Sequence, residues 1–250
     1  MRPLVLITCA GRGIGAAAAQ RCAAAGWAVA VNYARDGAAA QAVVDAIVAG
    51  GGEARAFAAD VADDAQVVAL FAAVDAAFGP GRLRGLVNNA GIVAPAARVD
   101  AYDPARVRRL FEVNVFGSLA CAREALRRLS TAHGGAGGAI VNLSSVAARL
   151  GGPGEYVDYA ASKGAIESFT IGLAKEVAAE GVRVNAVRPG IIATEIHASG
   201  GRPERASQMA GLIPMQRPGT ADEVARSIVW LLSDEASYVT GAIVDVGGGR

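Results

Sequence analysis

Tyr159 and Lys163 stand four residues apart, a spacing that puts a phenol and an ammonium on one face of a helix, within reach of the same bound molecule. An attraction of about 4 kcal/mol at ~4 Å and an effective dielectric of ~20 corresponds to about three pK units, enough to bring a phenol from ~10 towards ~7, where a general acid or base works best. Taken alone such a pair reads as structural. Two further features turn the reading towards catalysis. Ser144 and Ser145 follow an apolar strand-like run and precede the tyrosine, so a hydroxyl there could donate to a carbonyl oxygen as charge develops on it; the residues by themselves do not choose between the two. Near the start the chain reads Thr8-Cys9-Ala10-Gly11-Arg12-Gly13-Ile14-Gly15. Glycines at such a turn let the backbone approach a pyrophosphate, whose charge is met by free N–H groups and the positive end of a helix starting near Ile14.

Positioning these groups requires a rigid frame, and the apolar pattern supplies one. Strand-length runs at 4–8, 27–33, 53–58, 85–89, 139–144, 182–187 and 243–246 alternate with helical segments at 14–25, 38–49, 63–78, 104–130, 157–179 and 220–232. Val67, Phe71, Val74 and Phe78 recur at helical spacing and face a core, and Gly79-Pro80-Gly81 then ends the run. Such alternation forces parallel strands with right-handed crossovers: an α/β fold with one Rossmann-type doubly wound parallel sheet and helices on both faces. No linker, repeat or composition break divides the chain, so residues 1–250 are expected to form a single domain.

Composition removes other classes. With 53% hydrophobic and 19% charged residues the chain is too apolar for intrinsic disorder. A formal charge of +1 offers no field to gather nucleic acid or anionic lipid. No apolar run reaches the ~20 residues of a membrane span. Cys9, Cys22 and Cys121 show no CxxC spacing, and the opening LVLITCA leads into a glycine turn rather than a cleavage site, so a soluble protein of the reducing cytoplasm is expected. His133 and His197 lack neighbours at metal-ligand spacing, so no metal is expected.

In doubly wound sheets ligands lie beyond the carboxyl ends of the strands. The second strand ends in Asn32-Tyr33-Ala34-Arg35, without the carboxylate that would hold the ribose hydroxyls of NAD, while Arg12 and Arg35 would welcome a 2′-phosphate. NADP is therefore expected over NAD, with Asp36 the one residue that a shift of register would bring into the NAD role.

With Tyr159-Ala160-Ala161-Ser162-Lys163 the chain resembles the short-chain dehydrogenase/reductase family, essentially end to end. Thr8 to Gly15 looks like that family's TGxxxGxG turn, Asp60-Val61 its adenine-contacting pair, and Asn88-Asn89-Ala90-Gly91 its NNAG motif. Asn114, Ser145, Tyr159 and Lys163 match its catalytic tetrad, Pro189-Gly190 with Ile192 and Thr194 its nicotinamide-side turn, and Val239-Thr240-Gly241 its last segment. The resemblance selects Ser145 over Ser144 by its distance from the tyrosine. It implies reversible hydride transfer between nicotinamide and a ketone, sugar or 3-oxoacyl substrate. Tyr159 would move the proton, Lys163 would lower its pKa and bind the nicotinamide ribose, Ser145 would polarise the carbonyl and Asn114 would hold a relay water. It further implies a homotetramer or homodimer formed through the helices at 104–130 and 157–179. A non-catalytic NADPH sensor and an S-adenosylmethionine-dependent methyltransferase are the competing classes.

Cys9 occupies the place of the family's first glycine, where a side chain crowds the turn; it reads as a small buried hydrophobe. Residues 191–215 form a long stretch rich in Gly, Ser and Met and are expected to be a substrate lid, with Ile191, Ile192, Ile196, Met209, Leu212 and Met215 as an apolar pocket wall. Tyr156 reads as a loop aromatic, Lys175 as a solvated charge and Trp230 as helix-to-sheet packing.

Overall fold

A computed structural model describes residues 1–250. Seven strands form one sheet in the order β3-β2-β1-β4-β5-β6-β7, every neighbouring pair parallel. They are β1 (Leu4–Ile7), β2 (Ala28–Tyr33), β3 (Glu53–Ala58), β4 (Leu83–Asn88), β5 (Gly138–Leu143), β6 (Val182–Pro189) and β7 (Ile243–Val246). The strands are short, and the central ones, β1, β2, β4 and β5, are mostly apolar and buried because both faces are covered, as parallel sheets require, while the edge strands β3 and β7 are partly exposed. The helices that cover them are α1 (Gly13–Ala24), α2 (Gly37–Ala49), α3 (Asp64–Phe78), α4 (Pro104–Phe111), α5 (Gly117–Leu129), α6 (Ala147–Leu150), α7 (Val157–Val177), α8 (Ile196–Ser199), α9 (Arg205–Gln208) and α10 (Ala221–Leu232). This is a Rossmann-like α/β fold.

Two apolar layers result. On one side α1, α2 and α10 close over Val5, Ile7, Val29, Val31 and Val141. On the other α3, α5 and α7 close over Leu4, Leu6, Leu86, Ile140 and Val184, with Val67, Phe71, Val74 and Phe78 buried as their spacing predicts. Strand order reverses at β1, whose neighbours β2 and β4 lead to opposite halves of the sheet. The crevice beyond the carboxyl ends of β1, β4, β5 and β6 is where such sheets bind ligands.

The segment 104–130 differs from the single helix its pattern predicts. Between α4 and α5 lies a π-helical turn, Glu112–Phe116, so one extra residue sits in the coil. A hydrophobic stripe cannot report this, since the axis continues through the turn. At the turn's end Gly117 allows close approach to the loop after β3, where an added Cβ would lie 2.8 Å from Val61 Cγ2 and 2.9 Å from its carbonyl oxygen. The segment 191–215, expected as a lid, carries short helical pieces of its own. It contains α8, α9 and a 3-10 turn (Ala210–Leu212), with Ile192 bridged to Gly219 beside it. Trp230 is 38% exposed rather than packed on the sheet. No helix is long and apolar enough to cross a membrane.

Candidate active site

The loop after β1 turns into α1 through two left-handed residues, Cys9 (φ 51°) and Gly13 (φ 54°). Gly15 permits the tightest approach: a Cβ there would lie 2.5 Å from both Asn89 Nδ2 and the Cys9 carbonyl oxygen. Asn89 explains the closeness, since its amide donates to the carbonyls of Thr8 (2.9 Å) and Cys9 (3.0 Å) and clamps the glycine turn to the loop after β4. The Thr8 hydroxyl completes the clamp by accepting from the N–H groups of Asn89 and Ala90, both at 2.9 Å. The first turn of α1 contains no acidic residue, and Arg12 supplies no side-chain cap. A helix end left uncompensated beside a glycine cradle is a fit for a pyrophosphate.

At the end of β2, Asn32 is 2% exposed. Its oxygen accepts from Cys9 N–H (3.2 Å) and its amide donates to the Ala59 carbonyl (3.0 Å), so the side chain ties three loops together instead of facing the crevice. Asp36 caps α2 by accepting from Ala39 N–H at 2.9 Å, which occupies the carboxylate that a shifted register would have turned to a ribose. Arg12 and Arg35 are exposed and make no salt bridge, while Tyr33 packs against Gly37. Burial opposes ionisation of Asp60, but the Arg109 guanidinium at 2.7 Å and the Ala62 N–H outweigh it and hold the carboxyl below its usual range.

A cavity of about 400 Å³ opens beyond β4, β5 and β6, lined by Ile14, Asn89, Gly91, Ser145, Tyr159, Lys163, Pro189, Gly190, Ile192 and Thr194 among others. Tyr159 and Lys163 reach it from the first turns of α7. The start of that helix is anchored by Asp158, whose carboxylate accepts from Tyr159 N–H (2.9 Å) and from Arg106 Nε on α4 (2.8 Å), with the carboxylate side chain only 2% exposed. Ser145 follows β5 and lines the same cavity, where its hydroxyl accepts from Ala147 N–H at 3.2 Å and favours ionisation of the Tyr159 phenol; withdrawal from water acts more strongly the other way and holds the phenol above its usual pKa. Lys163 is 4% exposed. Its ammonium donates to the Leu143 carbonyl at 2.6 Å and lies 5.7 Å from the centre of the Tyr159 ring. Burial lowers it to about 8. The expected acidification of the phenol by this ammonium is therefore corrected: desolvation dominates at both groups, penalising the charged form of each.

The structure separates the two serines. Ser144 is buried and donates to Glu167 Oε1 at 2.6 Å, while Arg188 grips both oxygens of Glu167 at 2.7 and 2.8 Å and extends to Asp245 at 2.7 Å. The loop that presents Ser145 is thus pinned through its neighbour to α7, β6 and β7. Asn114, fully buried in the π turn, accepts from Ile92 N–H (2.8 Å) and donates to the Ile92 carbonyl (3.0 Å) and Ser162 Oγ (3.1 Å). Gly91 brings it towards the lysine, since a Cβ there would lie 3.4 Å from Lys163 Nζ and 3.6 Å from Asn114 Oδ1.

Ser162, Asp158 with Arg106, and Glu167 with Arg188 were not anticipated as parts of the site. Nothing in their spacing marks them, because each pair meets across the sheet or between helices. On the far side of the cavity Ile191, Ile192, Ile196 and Met209 form wall, as expected, and Tyr156 joins them. Leu212 and Met215 do not: they are 67% and 60% exposed, Leu212 at the end of the 3-10 turn and Met215 three residues beyond it.

Two of the lysine's three N–H bonds have no protein acceptor, and the glycine cradle lies across the same crevice. Both observations fit a dinucleotide. Comparison with known proteins agrees with this geometry. The family profile described as enoyl-(acyl carrier protein) reductase matches residues 9–250. The chain is 54% identical over 247 residues to an Escherichia coli (strain K12) protein named uncharacterized oxidoreductase YgfF, covering 99% of each. It is 40% identical over 246 residues to 3beta-hydroxysteroid dehydrogenase 1 of Eggerthella lenta, covering 98% of this chain and 92% of the other. To the 3-oxoacyl-[acyl-carrier-protein] reductase of a Synechocystis strain it is 39% identical over 249 residues, covering 98% and 96%. A solved structure of a doubly substituted short-chain dehydrogenase/reductase of Serratia marcescens superposes with a TM-score of 0.90 at 32% identity, covering 99% and 97%. Fold, crevice and likeness lead to one conclusion: the chain belongs to the short-chain dehydrogenase/reductase family of oxidoreductases, whose members bind NAD(P) and act on small molecules.

Proposed function

We propose that the chain reduces a carbonyl compound to an alcohol, reversibly, with NADPH preferred over NADH. The observation that carries the reading is one cavity that brings together Ser145, Tyr159 and a buried Lys163 whose ammonium lies 5.7 Å from the centre of the Tyr159 ring. The chemistry supplied by a bound nicotinamide dinucleotide is hydride transfer to or from the carbonyl carbon. Tyr159, held protonated by burial, gives its proton to the carbonyl oxygen, and Ser145 donates to the same oxygen as charge builds on it. The Lys163 ammonium, with two N–H bonds to offer, holds ribose hydroxyls and steadies the phenolate left behind. Asn114 keeps α5, α7 and the loop after β4 in register around them. Arg12 and Arg35, exposed and unpaired near the end of β2, favour a 2′-phosphate.

The relatives' printed names support a ketone, sterol or 3-oxoacyl compound as substrate. Phe116, Leu119, Val157 and Ile171, 36% to 60% exposed on the helices at 104–130 and 157–179, support association of copies into a homodimer or homotetramer. Tyr159→Phe tests the reading: NADPH binding persists while turnover of the best carbonyl found in a screen with NADPH and NADH drops by about a thousandfold or more. Wild-type kcat in that variant would sink the assignment. A rise in Tm with NADPH alongside no reduction of any carbonyl would leave a sensor in its place.

A further inference from the structure

Several polar groups that line the cavity beside the catalytic set are already committed to protein partners. Glu155 accepts from Arg202 Nη1 at 2.5 Å and from Arg205 Nη2 at 2.6 Å. His197 Nε2 sits 2.9 Å from the Ile192 carbonyl. The Nη1 atoms of Arg205 and Arg250 lack acceptors but are sealed from solvent, out of reach of a ligand. The Tyr156 hydroxyl differs on both counts. Unlike the Tyr102 hydroxyl, which accepts from Val157 N–H at 3.1 Å, it has no hydrogen-bond partner in the chain, and it is not among the sealed atoms.

Tyr156 is 9% exposed and lines the cavity. Its phenol oxygen sits in the wall beside Gly200 and Val93, since a Cβ added at Gly200 would lie 3.7 Å from that oxygen and 3.2 Å from Val93 Cγ1. Both neighbours line the same cavity, and neither has a polar side chain. The ring is held by the Arg205 guanidinium, 5.0 Å from its centre, which Glu155 holds in turn. Tyr156 stands immediately before α7, the helix that carries Tyr159 and Lys163. Water satisfies a hydroxyl placed in this way while the cavity is open. A ligand that fills the space with hydrocarbon strips that water and leaves the donor unmet, which costs binding. A ligand oxygen within reach restores the bond, so the group discriminates between the two.

We infer that Tyr156 is a specificity-determining residue whose hydroxyl donates to a second oxygen of the substrate. The preferred substrate is therefore an oxygenated ketone, with an ether, ester, keto or hydroxyl oxygen remote from the carbonyl that Ser145 and Tyr159 address. This inference rests on the carbonyl-reductase reading of the same site and adds the substrate's chemical class to it.

The test takes a series of ω-methoxy-2-alkanones, with two to six methylene groups between carbonyl and ether oxygen, and pairs each with the 2-alkanone in which a methylene replaces that oxygen. The members of a pair match in length and shape, and the series covers the span between the two phenols. Reduction is followed with NADPH and the full chain. In the parent, the ratio of kcat/KM for ether over alkanone is expected to peak at one chain length. At that length the ratio is expected to fall by about tenfold in Tyr156→Phe, mainly through KM. Phenylalanine keeps the ring beneath Arg205, and the unliganded Tm of the variant verifies folding. A ratio that is flat along the series in the parent overturns the inference while leaving the reductase reading intact. A ratio that is unchanged or raised in Tyr156→Phe at every chain length overturns it equally. Failure of ethers and alkanones alike to be reduced overturns the reductase reading and this inference with it.

Discussion

Lys163 and Tyr159 share one face of α7, yet the ammonium bonds to the Leu143 carbonyl at 2.6 Å and sits 5.7 Å from the tyrosine ring centre. A half-buried phenol and a buried ammonium thus stand side by side, each with its charged form disfavoured. The protein holds a cation where packing alone would place an apolar side chain, as sites built for function often do.

The lysine's burial has a measurable consequence. A shift from 10.5 to about 8 corresponds to about 3 kcal/mol of penalty on the ammonium. Below pH 8 the group is charged in folded and unfolded chains alike, and the penalty is present in full. Between about 8 and 10.5 the unfolded chain binds more protons, so this group makes stability rise with pH. Lys163→Met, at pH 7, is expected to stabilise the fold by about 2 kcal/mol once ~1 kcal/mol for the lost Leu143 hydrogen bond is deducted, while abolishing turnover. Denaturant unfolding at pH 7 decides it: a variant less stable than the parent contradicts the burial argument.

Glu167 and Arg188 form a half-buried charge pair near the site, with side chains 16% and 11% exposed. Arg188→Met leaves the carboxylate unpaired and is expected to cost about 3 kcal/mol, lowering Tm by about 6–12 °C. Glu167→Met added to it should recover most of the loss in thermal unfolding. The pair also predicts acid sensitivity. Burial opposes ionisation of Glu167, but the Arg188 and Ser144 hydrogen bonds win and lower its pKa. Its stabilisation is present above the unfolded carboxylate value and fades as pH falls through the lower folded value. A Tm that falls as steeply with acid in the double variant as in the parent would show that other groups carry that dependence.

Cys9 stands at φ 51°, where any residue with a Cβ is strained by about 1–2 kcal/mol. Burial raises its thiol pKa despite nearby Arg12. Cys9→Gly removes the strain but adds unfolded-state entropy of roughly 0.5–1 kcal/mol, for an expected net gain of up to ~1 kcal/mol. Cys9→Val, branched at Cβ, should lose about 2 kcal/mol or more. Equal Tm values for the two variants would show that the turn is not strained.

Arg35 is exposed and unpaired, and Asp36 is committed to capping α2. Arg35→Glu is expected to lower the ratio of kcat/KM for NADPH over NADH by about tenfold or more, because a carboxylate there repels a 2′-phosphate and suits free ribose hydroxyls. An unchanged ratio would remove Arg35 from the adenosine side and with it the main support for the NADP preference.

Strand and helix positions were legible in the sequence to within a few residues, since buried parallel strands and amphipathic helices leave strong periodic traces. The π turn at Glu112–Phe116 left none, because Asn114 lies on the same apolar stripe whether or not an extra residue enters the coil. The glycine turn, Tyr159 and Lys163 could be named because their chemistry depends on short spacings, whereas only the family resemblance chose Ser145 over Ser144. Asn32 and Thr8 were legible as parts of the nucleotide end, yet their side chains face inward and clamp loops, which only coordinates reveal.

Residue order by itself determined the alternating architecture, the candidate proton donor and its lysine four residues on, because these are matters of local period. Tertiary structure decided that Ser144 is held by Glu167 and Arg188 while Ser145 faces the cavity free of them, that Arg106 anchors α7 through Asp158, and that the phenol's pKa rises rather than falls. These depend on distances between segments remote in the chain and on how far each charge is withdrawn from water, and neither quantity is written in the spacing of residue types.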